Sequence, residues 1–116
     1  MKAIKMKRFA IVAALAAVCS AGAADLVFHM DFNTIQMRRE LVSKLLKEVA
    51  ASRYTHVLWE IEDKVRFDTC PEAAHGEAFS KEEFRKILAE AKSLGLKNIP
   101  LLQTFGHAEY ILKLEK

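Results

Sequence analysis

Two hydrophobic patterns alternate along this chain from residue 26 onward. Short apolar runs predict β-strands over residues 26–32, 56–62 and 97–104, and the longer segments between them repeat apolar residues at helical spacing. Because a helix separates each pair of consecutive strands, we expect the strands to be parallel and their connections right-handed. The order predicts an α/β fold, and it leaves two architectures open, a (β/α) barrel and an open doubly wound sheet.

The first helix is predicted over residues 37–52. Its apolar residues recur in steps of four, and such spacing is typical of an amphipathic helix. We expect this stripe to face the core of the domain. It comprises Met37, Leu41, Leu45 and Val49, with Leu46 and Ala50 beside them.

The second helix carries signals at both ends. Ser80 and Glu83 have the spacing of a capping box, in which each side chain accepts a hydrogen bond from the other residue's backbone N–H. Gly95 is placed to end the helix in a left-handed conformation. A third helix is expected over residues 107–116, and residues 63–79 are expected to form a long loop.

Residues 1–23 have the features of a secretory signal peptide. Four basic residues precede an apolar segment over residues 9–18, and an A-x-A cleavage site ends at Ala23. The apolar segment is shorter than the ~20 residues that cross a bilayer. We therefore expect an exported protein with a mature region of residues 24–116. A lipid anchor on Cys19 is the lesser alternative, because the residues before it fit the lipoprotein pattern poorly.

The charge of the chain bears on its partners, and its cysteine content bears on disulfide bonds. The chain has 18 Lys and Arg residues against 15 Asp and Glu, which gives a formal net charge of +3. Since the predicted signal peptide carries four basic residues and no acidic ones, its removal leaves a charge of −1. The mature region has no basic patch, so we expect no nucleic-acid partner. Cys70 is then the one remaining cysteine, so no internal disulfide is expected.

Polar residues gather at the predicted carboxyl end of every strand. In parallel α/β folds the loops after the strands carry the active site, so these residues are candidates for chemistry. Strand alternation puts Glu60 and Glu62 on one face, and at least one of the strand's acids is expected to be enclosed, with a partner or a raised pKa. His107 is the best candidate, because Gly106 before it permits a tight turn. The full set is His29, Asp31, Glu60, Glu62, Asp63, Gln103, Thr104, His107 and Glu109.

Three segments of the chain together resemble a known enzyme family. They are HMDF at residues 29–32, LWEIED at 58–63 and IPLLQTFGHAEYILK at 99–113. They are similar to segments of the family 20 glycoside hydrolases, the β-N-acetylhexosaminidases, and most of all to the hexosaminidase D type. The resemblance implies a (β/α)8 TIM barrel, of which residues 24–116 correspond to the first three βα units. One position departs from the family, since Thr34 stands where many members carry an arginine that holds sugar hydroxyls.

The resemblance implies a mechanism for removing N-acetylhexosamine from glycans. The family uses substrate-assisted, retaining hydrolysis, in which the 2-acetamido group of the sugar attacks the anomeric carbon. An adjacent Asp-Glu pair after the fourth barrel strand assists this step, and that strand is expected to lie beyond this chain. The resemblance therefore places no catalytic residue within the chain, and it implies no cofactor.

Supporting roles can be carried over by position. Asp63 matches the family's acid after strand two, and His107 matches the histidine after strand three. In the family these two residues act as a relay toward the catalytic Glu. Asp31, Glu62 and Glu109 are expected to border the carbohydrate substrate.

Three functions stay open at this point. The first is a hexosaminidase whose barrel, ~250 residues when complete, is finished by strands outside this chain. The second, which the missing fourth strand favours, is a non-catalytic remnant or glycan-binding fragment that depends on the missing remainder of the barrel for solubility, because its apolar edge strand is unpaired. The third and weaker one is a metal-dependent barrel enzyme. It lacks the usual ligand spacing, and its candidate ligands are His29, Asp31, Glu62 and His107.

Overall fold

The computed structural model describes residues 24–104 and 106–112. The predicted signal peptide, with Cys19, lies outside the described residues, as do the last four residues of the predicted third helix. Within the described ranges, no helix is both long enough and apolar enough to cross a membrane. The elements in chain order are β1 (Val27–Asp31), α1 (Arg39–Ala51), β2 (His56–Glu60), β3 (Val65–Arg66), a 3₁₀ turn (Pro71–Ala73), β4 (Phe79–Ser80), α2 (Lys81–Ser93), β5 (Lys97–Leu101) and α3 (Glu109–Leu112).

The main sheet is parallel and its strands follow chain order. Its three strands lie in the order β1-β2-β5, and α1 and α2 pack into one hydrophobic cluster against it. The structure therefore confirms the prediction of a parallel α/β fold. Three consecutive strands with both helices on one face occur in a barrel wall and also in one half of a doubly wound sheet, so the strand order is compatible with both architectures.

The two faces of the sheet differ in character. Met30 and Trp59 are register partners on the face that α1 and α2 cover, and both are buried. Asp31 and Glu60 are register partners on the opposite face, which neither α1 nor α2 covers. Pro100, which has no N–H to donate, lies in β5 at one edge of the sheet, where that loss is tolerated.

Trp59 lies at the centre of the covered face. Its ring centroid is 5.5 Å from that of Phe84 and 6.1 Å from that of Phe32. Its indole N–H donates to Asn98 Oδ1 at 2.8 Å, and the amide of Asn98 donates in turn to the carbonyl of Leu88 at 3.1 Å. One side chain thus joins β2 to β1, β5 and α2, with its polar atom satisfied.

The helix α1 presents part of the predicted stripe to the core. Its buried side chains are Val42, Leu46 and Val49, and Leu41 is 53% exposed. Four residues of an α-helix exceed a full turn by about 40°, so repeated steps of four rotate away from any single face. Alternating steps of four and three, as from Val42 to Leu46 to Val49, stay on one face. The prediction was right for Val49 and Leu46 and wrong for Leu41, while Met37 and Leu45 are partly buried against the core.

The residues predicted as a loop contain a second, small sheet. β3 and β4 pair in parallel, and the backbone N–H of Phe79 donates to the carbonyl of Lys64 at 2.9 Å. Val65 and Phe79 are buried, and the ring of Phe79 lies 6.3 Å from that of Phe32. Strands of two residues are too short to produce a periodic pattern, so these two could not be predicted from the sequence.

Both ends of α2 are as predicted. Ser80 Oγ accepts from the backbone N–H of Glu83 at 3.1 Å, and Glu83 Oε2 accepts from the backbone N–H of Ser80 at 2.8 Å. Hydrogen bonds from the hydroxyl and then the backbone of Ser80 hold the pKa of Glu83 below its ordinary value. Gly95 has a φ of 82°, in the region that glycine adopts without steric cost.

Candidate active site

Three parallel strands bring their carboxyl ends to one edge of the sheet. In the register, Asp31 of β1, Glu60 of β2 and Leu101 of β5 lie side by side. The segments that follow β2 and β5 begin at this edge and carry the other polar candidates. We call this edge the carboxyl rim, and it is where parallel α/β enzymes place their chemistry.

Glu60 is a buried carboxylate that three strands share. Its residue is 7% exposed. His29 Nε2, from β1, lies 2.7 Å from Glu60 Oε2, and Gln103 Nε2, which follows β5, donates to Glu60 Oε1 at 2.6 Å. The structure confirms that an enclosed acid at the end of the second strand has partners, as the cost of burying a charge requires.

Glu62 lies beyond the end of β2 and does not share the geometry of Glu60. Its φ is 39°, in the left-handed region, so the strand alternation used to pair the two residues on one face stops at Glu60. Its Oε1 is buried and, among the described residues, has no hydrogen-bond partner. Burial raises the pKa of Glu62, the negative charges of Glu60 and Asp63 raise it further, and His107 acts in the opposite direction.

Asp63 and His107 follow neighbouring strands at the carboxyl rim without being bonded to each other. Asp63 Oδ1 accepts from the ammonium group of Lys64, a residue that is 6% exposed. No hydrogen bond or ion pair joins Asp63 to His107 in residues 24–104 and 106–112. A lysine this buried requires a paired carboxylate, and that requirement explains the partner of Asp63.

The turn before α3 is made by His107 and not by Gly106. His107 has a φ of 55°, whereas the φ of Gly106 lies outside the left-handed region, which corrects the role predicted for the glycine. Histidine is among the few residues enriched in this conformation. His107 and Glu109, the first residue of α3, are exposed. Asp31 is also exposed, and its Oδ1 accepts from the backbone N–H of Asn33 at 2.7 Å.

A cavity of about 480 Å³ opens between the segments that follow β2 and β5. Glu62, Asp63 and Gln103 line it together with Tyr110. Burial raises the pKa of Tyr110, and the charges of Glu62 and Asp63 add to this effect. Most of the remaining wall is apolar, and a concave apolar wall with a few polar groups is typical of small-molecule sites. The apolar part includes Ile61, Val65, Leu101, Leu102 and Ile111.

The metal-dependent alternative finds no ligand set in the part of the chain that the structure describes. No group of three or more His, Cys, Asp or Glu side chains lies close enough there to hold a metal ion. The four candidate ligands, His29, Asp31, Glu62 and His107, are therefore not brought together as one site.

Arg39, at the start of α1, binds a residue of α2 and not a residue of the rim. Arg39 Nη2 donates to Glu90 Oε2 at 3.0 Å, and Ser43 Oγ donates to the same oxygen at 2.7 Å. This network joins α1 to α2. It leaves Arg39 committed to Glu90, so it does not replace the sugar-binding arginine that Thr34 lacks.

Comparison with solved structures identifies the barrel to which these units correspond. The chain superposes with a TM-score of 0.67 on a chitobiase from Flavobacterium johnsoniae, at 22% identity over 77% of the chain. A β-N-acetylhexosaminidase from Bacteroides fragilis gives a TM-score of 0.67 at 18% identity over 77% of the chain. A mutant β-hexosaminidase from Streptomyces plicatus, in complex with its product GlcNAc, gives a TM-score of 0.68 at 20% identity over 77% of the chain.

The described units match part of a family 20 hexosaminidase barrel. The resemblance seen in three sequence segments is thereby confirmed at the level of the fold. The chain spans 15%, 22% and 21% of the three matched structures, so the likeness concerns one part of their length. No protein-family model and no curated protein matches the sequence.

Two residues of the rim were missed by reasoning from the sequence. Lys64 is a buried partner of Asp63, and Tyr110 lines the cavity beside Glu62. Tyr110 could have been found from its position three residues after His107, on the first turn of the predicted third helix. Lys64 gave no signal, because lysine is almost always exposed and its burial depends on the fold around it.

Proposed function

We propose that this chain supplies the first three strand–helix units of the catalytic barrel of an exported β-N-acetylhexosaminidase. The observation that carries the proposal is the carboxyl rim. Polar side chains from three consecutive strands meet at one edge of a sheet whose fold matches family 20 hexosaminidases. One of those homologous structures holds GlcNAc, which supports an N-acetylhexosamine as the sugar.

The proposed reaction is substrate-assisted, retaining hydrolysis of an N-acetylhexosaminide. The acetamido oxygen of the substrate attacks the anomeric carbon as the glycosidic bond breaks, and water later opens the cyclic intermediate with retention of configuration. This chemistry requires an acid that protonates the leaving oxygen and a group that orients the acetamido nitrogen. The chain contains no adjacent Asp-Glu pair, so these two roles belong to residues outside it.

The residues of this chain take supporting roles in the proposal. Asp63 and His107 form a carboxylate–imidazole relay toward the catalytic acid, because a carboxylate fixes the tautomer of an imidazole and raises its basicity. In the structure Asp63 is bound to Lys64, so the relay requires Asp63 to take His107 as a second partner. Asp31, Glu62 and Glu109 border the substrate.

A second candidate function is glycan binding without turnover by the chain. The mostly apolar cavity beside the rim, with its few polar groups, favours this alternative, because such a wall is typical of a binding site. It shares the rim and the sugar with the first proposal, and it differs in requiring no catalytic acid.

One assay separates the two candidates. The full-length protein and the 116-residue chain are each incubated with p-nitrophenyl N-acetyl-β-D-glucosaminide, and with the matching β-D-glucoside as a control that lacks the acetamido group. Hydrolysis of only the first substrate by the full-length protein supports the hexosaminidase. Binding of GlcNAc with no hydrolysis by either preparation supports the second candidate. If neither preparation binds GlcNAc or hydrolyses the substrate, both proposals are refuted.

The relay is tested by a double-mutant cycle. If Asp63 acts through His107, the Asp63→Asn and His107→Ala variants should each lower kcat/KM, and the double variant should lose little more than either. The chain offers a matched control at the opposite end of the sheet, where Asp25 Oδ1 lies 3.7 Å from His56 Nδ1. Asp25→Asn should leave kcat/KM unchanged. Fully additive losses at Asp63 and His107 would contradict the relay.

Export is proposed from residues 1–23 and is tested at the N-terminus of the protein. Amino-terminal sequencing of material recovered outside the cytoplasm should begin at Ala24. An intact Met1 in that material, or a lipid on Cys19, would overturn the proposed cleavage.

A further inference from the structure

The cluster around Glu60 lies on the sheet face that α1 and α2 leave uncovered. Glu60 is level with Asp31 across the register, His29 lies two residues nearer the amino end of β1, and Gln103 lies two residues beyond Leu101. The cluster therefore extends from β1 across β2 to the segment after β5, and each step lies nearer the carboxyl rim. In a barrel this face lines the interior, below the loops that carry the active site.

Glu60 acts only through its two neighbours. It is buried, and each carboxylate oxygen already accepts one hydrogen bond. With Glu60 ionised and His29 neutral, His29 Nε2 carries the hydrogen and His29 Nδ1 is left as an acceptor for another group, because an ionised carboxylate is an acceptor only. Gln103 commits its Nε2 to Glu60 in the same way, so its Oε1 is presented away from the carboxylate.

The exposure of His29 contrasts with that of Glu60. Within the described residues the imidazole side chain is 47% exposed, although it is anchored to a buried carboxylate at 2.7 Å. A side chain that is accessible at its tip and fixed at its base is preorganised for binding, because little rotamer freedom is left to lose when a ligand arrives.

We propose that His29 and Gln103 form a subsite for the hydroxyl groups of a carbohydrate, with Glu60 as the positioning residue that holds both. The inference rests on the proposed function and adds to it a place where the sugar is held. Two acceptors in fixed directions match hydroxyl donors. Thr34 stands in place of the family's sugar-binding arginine, so the sugar needs another contact that holds its hydroxyl groups.

The variant Glu60→Gln tests the positioning role without changing the volume of the side chain. Its carbonyl oxygen still accepts from Gln103, but its NH₂ group now faces His29 Nε2. A hydrogen bond forms there only if the imidazole moves its hydrogen to Nδ1, and Nδ1 then becomes a donor. Nitrogen NMR of the full-length protein labelled at histidine should show His29 with hydrogen on Nε2 in the wild type and on Nδ1 in the variant.

Kinetics give the second readout. With p-nitrophenyl N-acetyl-β-D-glucosaminide, Glu60→Gln should raise KM about 3- to 10-fold, the effect of one misdirected hydrogen bond. The value of kcat should change less than about twofold, because a contact made equally in the ground and transition states affects KM alone. His29→Asn, at a half-exposed position, should raise KM similarly and keeps the test available if Glu60→Gln fails to fold.

A matched control separates positioning from stability. Ile87 is fully buried on the other side of the sheet, so Ile87→Val should lower Tm while leaving KM and the His29 tautomer as in the wild type. If the wild type hydrolyses the substrate and both Glu60→Gln and His29→Asn keep its KM, the cluster is structural and the subsite is refuted. An unchanged tautomer in Glu60→Gln refutes the positioning role. If the wild type hydrolyses nothing, the proposed function itself fails and the subsite falls with it.

Discussion

The stripe that α1 buries can be tested by the same substitution at two leucines of one helix. Leu46 is fully buried, whereas Leu41, five residues earlier, is 53% exposed. Replacing Leu46 by alanine removes three carbon groups from the core, worth about 2.4 kcal/mol at about 0.8 kcal/mol each, and the cavity left behind adds to this. We expect Leu46→Ala to lower the free energy of unfolding by about 3 to 4 kcal/mol.

The same change at Leu41 should cost far less. About half of that side chain is in water already, so the transfer term falls to about 1 kcal/mol, and the higher helix propensity of alanine returns a few tenths. Propensity acts equally at both sites, so the difference between the two variants isolates burial. We expect this difference to be at least about 2 kcal/mol.

Urea unfolding followed by far-UV circular dichroism measures both values. The slope of the free energy with urea should stay unchanged in both variants, so that the midpoints report stability directly. Equal losses for Leu41→Ala and Leu46→Ala would refute the reasoning. They would show that the i+4 stripe predicted from the sequence is also buried in the protein.

Three further predictions concern the ends of α2 and the rim. Ser80→Ala removes the capping box and should lower stability by about 1 kcal/mol in urea unfolding, and an unchanged midpoint would contradict the cap. Gly95→Ala forces a side chain into a φ of 82° and should cost about 1 kcal/mol, whereas Gly76→Ala, which has no positive φ and no atom within 4 Å of the added carbon, should be near neutral; equal effects would argue against backbone strain. The folded-state pKa of Glu62 is raised above 4.5, so its neutral carboxyl stabilises the fold below pH 4.5, and this contribution is lost as the pH rises through the raised pKa. Glu62→Gln should therefore gain stability relative to the wild type as the pH rises, and a pH-independent difference in unfolding free energy would disprove the shift.

The sequence predicted most of the fold because most of its signals are local. The capping box joins Ser80 to a residue within one helical turn, and the left-handed conformation of Gly95 depends on that residue alone. Both features are observed. The three long strands carry enough apolar residues to be recognised, although each ends earlier than predicted. The choice of a barrel over a doubly wound sheet needed the comparison with solved structures, because three consecutive parallel strands are common to both architectures.

The candidate site was predictable in place but not in its contacts. Alternation along the second strand indicated an enclosed acid, and Glu60 is that acid. Its partners lie 31 and 43 residues away in the sequence, a separation that no local pattern spans. The partner of Asp63 was missed for another reason, because Lys64 is adjacent in sequence and its burial depends on how the small second sheet folds over it.

The single tryptophan gives this molecule an optical signal for one of its two faces. Trp59 is shielded by Phe32 and Phe84, so its emission should be shifted to shorter wavelengths and resist quenching by dissolved iodide. Loosening α2 alone would expose the ring, so fluorescence reports the docking of that helix even when circular dichroism still records a folded backbone. A ligand bound on the opposite face touches none of these rings. Fluorescence therefore follows the integrity of the scaffold during a sugar titration without competing signal from the sugar itself.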